Sequence, residues 1–119
     1  MAPRVLLVDD HAPFRVMARA VLEAGGFQIV GEAATGAEAL RAAAASMPDL
    51  VLLDVQLPDT DGFVVSRALR EHTNSPCVVL CSIRDATAYG SRVADCGAAG
   101  FVEKSQLSAT LVAGYLDSG

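Results

Sequence analysis

Asp9 and Asp10 follow directly on the apolar run Val5-Leu6-Leu7-Val8, and Asp54 follows Leu50 to Leu53. Ser82 follows Cys77 to Cys81, and Lys104 follows Ala99 to Glu103. Three carboxylates brought within a few ångströms repel one another and do not all ionise unaided. A hard divalent cation relieves that repulsion, and Mg²⁺ takes oxygen ligands of this kind. The aspartates are therefore read as Mg²⁺ ligands, against the blander role of helix caps. Lys104 is the single lysine beside eight arginines. A compact ammonium on a long stem suits reaching one phosphoryl oxygen, and a serine hydroxyl can donate to another. The set suits phosphoryl transfer to a carboxylate, giving an aspartyl phosphate. Cations and donors then supply catalysis by holding the charge on the equatorial oxygens. The strand ends are read as lacking histidine and cysteine, hence a general base, and an anionic nucleophile needs none.

These residues meet only if the apolar runs are strands of one sheet. Five runs, Val5 to Val8, Phe27 to Gly31, Leu50 to Leu53, Cys77 to Cys81 and Ala99 to Glu103, alternate with helical patterns. Four read as buried or half-buried strands, whereas Phe27-Gln28-Ile29-Val30 alternates more openly and suits an edge. The first helix carries Phe14, Met17, Ala18, Val21 and Leu22 at helical spacing and stops at Gly25-Gly26. Thr35-Gly36-Ala37-Glu38 is a capping box opening a second helix, with Leu40, Ala43, Ala44 and Met47 as its inner stripe. Asp61 can cap a third helix bearing Val65, Ala68 and Leu69. Asp85 can cap a fourth, ending near Gly97 and weakened by Gly90. A fifth follows Ser105, itself a good cap, with Leu107, Leu111 and Tyr115 inward. Five βα units predict a parallel sheet with helices on both faces. Ligands of such sheets bind beyond the carboxyl ends of the strands, where strand order reverses. In the order 2-1-3-4-5 that point lies between the first and third strands, both of which end here in aspartate.

Composition narrows the classes. The chain has 119 residues, 52% of them hydrophobic and 19% charged, so it is long enough for one domain with a core and is no disordered tail. A domain of this size buries roughly two-thirds of its unfolded surface and needs no disulfide or metal to fold. The net charge of −5 and the absence of a basic stripe argue against contact with nucleic acid. Cys77, Cys81 and Cys96 are an odd count, and Cys77 and Cys81, on one face of a strand, are read as buried thiols rather than a zinc pair, in a reducing, cytoplasmic setting. No run approaches the length of a membrane span or a signal peptide.

Three segments carry a family resemblance: Val5-Leu6-Leu7-Val8-Asp9-Asp10-His11, then Val51-Leu52-Leu53-Asp54-Val55-Gln56-Leu57-Pro58 with Asp61-Gly62, then Gly97-Ala98-Ala99-Gly100-Phe101-Val102-Glu103-Lys104. In this order and spacing the chain resembles the receiver domain of two-component response regulators over essentially its whole length. The resemblance implies a flavodoxin-like (CheY-like) α/β fold, with a five-stranded parallel sheet of order 2-1-3-4-5, five helices, and one receiver domain over residues 1–119. By position, Asp54 would accept a phosphoryl group from a histidine kinase or a histidine phosphotransfer protein. Asp10, Asp54 and the backbone carbonyl of Gln56 would bind Mg²⁺ directly, with Asp9 acting mainly through water. Lys104 would pair with Asp54 and then with the phosphoryl oxygens. Ser82 would move toward the phosphoryl group, with Phe101 as the coupled aromatic switch. The chain departs from the family at two positions. Ser105 stands where a proline usually follows the lysine, so a cis Lys104–Ser105 bond is an open question at a cost of about 3 kcal/mol. Phe101 stands where tyrosine is frequent, which removes a hydroxyl.

The resemblance makes the domain a phosphorylation switch rather than a turnover enzyme, acting through its fourth and fifth helices. A phosphorylation-independent docking module would have lost acidic or lysine positions, and this chain keeps them. A Mg²⁺-dependent aspartyl phosphohydrolase needs an acid/base aspartate where Gln56 stands. A flavodoxin-like electron carrier would set the flavin phosphate against Asp9 and Asp10. The last helix has no charged side chain from Ser105 to Leu116. It is read, with Val112 and Leu116 outward, as a surface for a second copy or an output module.

Overall fold

The valine-rich runs form strands because β-branched side chains suit a pleated sheet covered on both faces. The computed structural model describes residues 2–72 and 74–118. The strands are β1 (Arg4–Val8), β2 (Gln28–Ala33), β3 (Leu50–Asp54), β4 (Cys77–Ser82) and β5 (Gly100–Glu103). The helices are α1 (Ala12–Ala24), α2 (Gly36–Ser46), α3 (Gly62–Arg70), α4 (Arg92–Asp95) and α5 (Ala109–Ser118). All pairings are parallel, in the order β2-β1-β3-β4-β5. The openly alternating β2 is an edge strand, as its pattern requires.

Alternation along the strands divides the core in two. Val5, Leu7, Leu50, Leu52, Val79 and Cys81 face α1 and α5, while Leu6, Val8, Val51, Leu53, Val78 and Leu80 face α2 and α3. Cys77 lies at the border of the first layer with Cys81, and all three cysteines are free thiols.

The helices exist where periodicity places them, but their inward faces differ. In α2, Ala39 and Ala43 are buried, whereas Leu40 is 37% and Met47 59% exposed, and Ala44 is exposed too. Small residues let this helix lie close to the sheet. The larger ones turn aside and line an open groove of about 330 Å³ against Leu69 and Pro76. Thr35 caps α2 by accepting from the Glu38 N–H, and Glu38 reaches back to the Ala34 N–H. In α1, Ala18 and Leu22 are buried while Met17 is exposed. Asp61 caps α3 through the Val64 N–H.

The last third departs most from expectation. Asp85 does not open a long fourth helix. It precedes a 3-10 turn, Ala86–Ala88, after which Gly90 at φ +58° breaks the chain before the four-residue α4. A left-handed residue cannot continue a right-handed helix, and glycine adopts that conformation without a Cβ penalty. Ser105 likewise does not cap α5, because Lys104–Gln106 is a second 3-10 turn and Ser108 caps the helix through the Leu111 N–H. That start sets the helix phase. Val112 is fully buried and Leu111 is 45% exposed, the reverse of the expected faces. Among the described residues no peptide bond is cis, so Lys104–Ser105 is trans.

Candidate functional site

The ends of β1 and β3 are adjacent in the sheet, so Asp9, Asp10 and Asp54 converge as their strand-end positions require. A tight turn closes the site beneath them. Gly62, the first residue of α3, donates its N–H to the Val55 carbonyl at 2.7 Å. A Cβ at this glycine would lie 2.5 Å from the Asp54 carbonyl oxygen. Only glycine lets α3 start this close to the end of β3, which fixes the Asp54 backbone.

Asp10, Asp54, Gln56, Ser82 and Lys104 line one cleft of about 180 Å³, together with His11. Asp9 lies behind it at 2% exposure, and Asp54 is 5% exposed. Lys104 Nζ sits 2.6 Å from Asp9 Oδ2 and 3.5 Å from Asp54 Oδ2. Lys104 thus bridges both acids and is closer to Asp9 than to its expected partner Asp54. The Asp9 contact is an ion pair of short reach rather than an aligned hydrogen bond. The ammonium also lies 4.6 Å from the centre of the Phe14 ring, whose face attracts cations. Burial opposes the charge on Lys104, but the close approach of Asp9 and the Asp54 charge outweigh it and raise its pKa.

Burial pushes the Asp54 carboxyl up from the ordinary 3.8 to about 6, and the Asp9 charge adds to the rise. Lys104 and the Gln56 N–H, which donates to Asp54 Oδ1 at 3.3 Å, pull the other way without prevailing. The cleft is short of positive charge. Asp9, Asp10, His11 and Asp54 each offer one ligand atom, all within 4.8 Å of one another. An oxygen-rich donor set whose buried carboxylates one lysine compensates only in part fits a hard divalent cation. Desolvation raises the Cys81 thiol, at the end of β4, to about 12, so it is no nucleophile.

Two residues in the site escaped the sequence reading. His11 does stand at a strand end: its N–H donates to Asp9 Oδ1 at 2.8 Å, and its Nδ1 lies 3.2 Å from Asp10 Oδ1. Its place directly after Asp9-Asp10 was the available signal. Tyr89, from the broken fourth helix, brings its hydroxyl 2.7 Å from Ser82 Oγ. Nothing in the local sequence marks that contact. Phe101 lies outside the cleft, half-buried on the α3 side, with its ring centre 5.8 Å from that of Tyr89.

An open sheet of order 2-1-3-4-5 with an acidic cleft at the reversal point is a CheY-like fold. Residues 5–115 match the family described as the response regulator receiver domain, and the chain belongs to it. A Mycobacterium tuberculosis protein named as the probable transcriptional regulatory protein NarL is 38% identical over 115 residues, 96% of this chain and 53% of that protein. The chemotaxis protein CheY of Bacillus subtilis is 32% identical over 104 residues, 87% of each chain. The solved signal receiver domain of M. tuberculosis NarL superposes with a TM-score of 0.88 at 36% identity, covering 98% of this chain and 95% of that one. The chain spans about half the length of NarL and most of the length of CheY. The family is one of signalling modules, not of conventional turnover enzymes. Among the described residues no helix is long and apolar enough to cross a membrane.

Proposed function

We propose that this chain is a phosphorylation switch in which Asp54 accepts a phosphoryl group from the phosphohistidine of a histidine kinase or phosphotransfer protein. The observation that carries the reading is the meeting of Asp9, Asp10 and Asp54 within 4.8 Å, with Lys104 Nζ bridging Asp9 and Asp54. An Asp54 oxygen forms the new bond to phosphorus as the donor's P–N bond breaks. Asp10, Asp54 and the Gln56 carbonyl would hold Mg²⁺, and Asp9 would assist from behind them. Bound there, Mg²⁺ would offset the carboxylate charge and polarise the phosphoryl oxygens.

Lys104 swings from Asp9 and Asp54 to a phosphoryl oxygen, and Ser82 donates its hydroxyl to another. Both shifts are short, since the two side chains already line the cleft. Phe101 and the segment around Ala86–Asp95 follow, and partner affinity changes there and at α5. The outward apolar residue of α5 toward a second copy or an output module is Leu111, since Val112 is core.

The test is incubation with acetyl phosphate and Mg²⁺, read by mass. The protein gains one phosphate, and Asp54→Ala does not. Incorporation at full level in Asp54→Ala overturns the assignment.

A further inference from the structure

Phe101 has no hydroxyl, so the phenol that reaches Ser82 comes from elsewhere: Tyr89, at the end of the Ala86–Ala88 turn. Ser82 Oγ already accepts the Arg84 backbone N–H at 3.2 Å. A serine hydroxyl has one proton and two acceptor lone pairs. If Ser82 donates to Tyr89, its proton is spent outside the cleft. If Tyr89 donates to Ser82, both lone pairs are filled and the serine proton is left for the cleft that Ser82 lines with Asp54 and Lys104.

Building on the phosphorylation reading above, we propose that Tyr89 is a positioning residue: its hydroxyl donates to Ser82, aims the serine proton at the phosphoryl site and ties the Ala86–Asp95 segment to that site's occupancy. The ring is placed to carry the signal. It packs against Phe63 at 5.5 Å and Phe101 at 5.8 Å between centres, one on α3 and one on β5. Movement of Ser82 toward a phosphoryl group draws the phenol with it and disturbs both contacts. The segment that must yield is held weakly. It is a 3-10 turn and a four-residue helix on either side of Gly90, with none of those seven helical residues buried.

The chain has two tyrosines and no tryptophan, so in a Tyr115→Phe background the emission comes from Tyr89 alone. With acetyl phosphate and Mg²⁺, Tyr89 emission changes in step with phosphate incorporation. Adding Ser82→Ala leaves slower incorporation but no emission change. In the otherwise unaltered chain, Tyr89→Phe melts normally, incorporates phosphate about fivefold more slowly for the loss of one hydrogen bond, and loses the phosphorylation-dependent amide shifts of Ala86–Asp95. Tyr89→Phe combined with Ser82→Ala is no slower than Ser82→Ala alone. Incorporation with unchanged Tyr89 emission, or a Tyr89→Phe protein equal to the parent in rate and amide response, overturns the inference and leaves the Asp54 reading standing. No incorporation in the parent overturns both.

Discussion

Replacing Asp54 by asparagine removes a charge that the fold tolerates poorly. The carboxyl is 5% exposed, and burial with the neighbouring Asp9 lifts its pKa from 3.8 to about 6. The folded state therefore binds more protons than the unfolded one between those values. Stability falls as pH rises from about 4 to about 6 and is level above. The full displacement corresponds to at most about 3 kcal/mol at neutral pH, and relaxation around a solvent-facing cleft reduces that to about 1–2 kcal/mol. Asparagine keeps an acceptor for the Gln56 N–H and Lys104 keeps Asp9 at 2.6 Å, so the amide NH2 that then faces Lys104 offsets only part of the gain. The assay is urea unfolding in EDTA at pH 7.5 and pH 4. Asp54→Asn is more stable than the parent at pH 7.5, and the gap shrinks toward zero at pH 4. Excess Mg²⁺ at pH 7.5 stabilises the parent more than the variant, because it binds the native carboxylates. An Asp54→Asn protein no more stable than the parent at pH 7.5, or a gap independent of pH, would refute the charge-strained cleft.

Other outcomes follow from particular contacts. Gly62→Ala places a methyl 2.5 Å from the Asp54 carbonyl, lowering stability by about 1–3 kcal/mol in thermal melts and slowing acetyl-phosphate labelling. Val112→Glu buries a carboxyl in the α5 layer and costs about 3–5 kcal/mol, whereas Leu111→Glu stays within about 0.5 kcal/mol of the parent; equal melting temperatures would contradict the α5 phase. Arg19 and Arg15 depress the Glu32 pKa, so the contribution of Glu32 is complete above its unfolded pKa and lost as pH falls through the lowered folded value. Glu32→Gln then costs about 0.5–1 kcal/mol at pH 7 in low salt and nothing at pH 2, as measured by urea titration. Lys104→Arg leaves a folded protein whose phosphorylation-dependent amide shifts are impaired; an arginine variant equal to the parent would mean that charge alone suffices.

Local periodicity and punctuation were enough to read the five strands, the order of elements and the polar residue closing each functional strand. Those features rest on short-range rules: alternation of side chains along a strand, helical spacing, and caps such as Thr35 and Asp61. The carboxylate cluster was legible for the same reason, since a parallel sheet brings every strand's carboxyl end to one edge. Tertiary packing decided what lies beyond those rules. A helix turns whichever face fits the sheet, so α2 buries Ala39 and Ala43 rather than Leu40, and Ser108 rather than Ser105 sets the phase that buries Val112. Gly90 takes a left-handed conformation and divides the fourth helix. Lys104 and Asp9 are 95 residues apart in sequence, and their separation of 2.6 Å depends on side-chain geometry across the four strands from β1 to β5. The Tyr89–Ser82 contact arises in the same way, from how an irregular segment folds back over β4, and no residue spacing announces it.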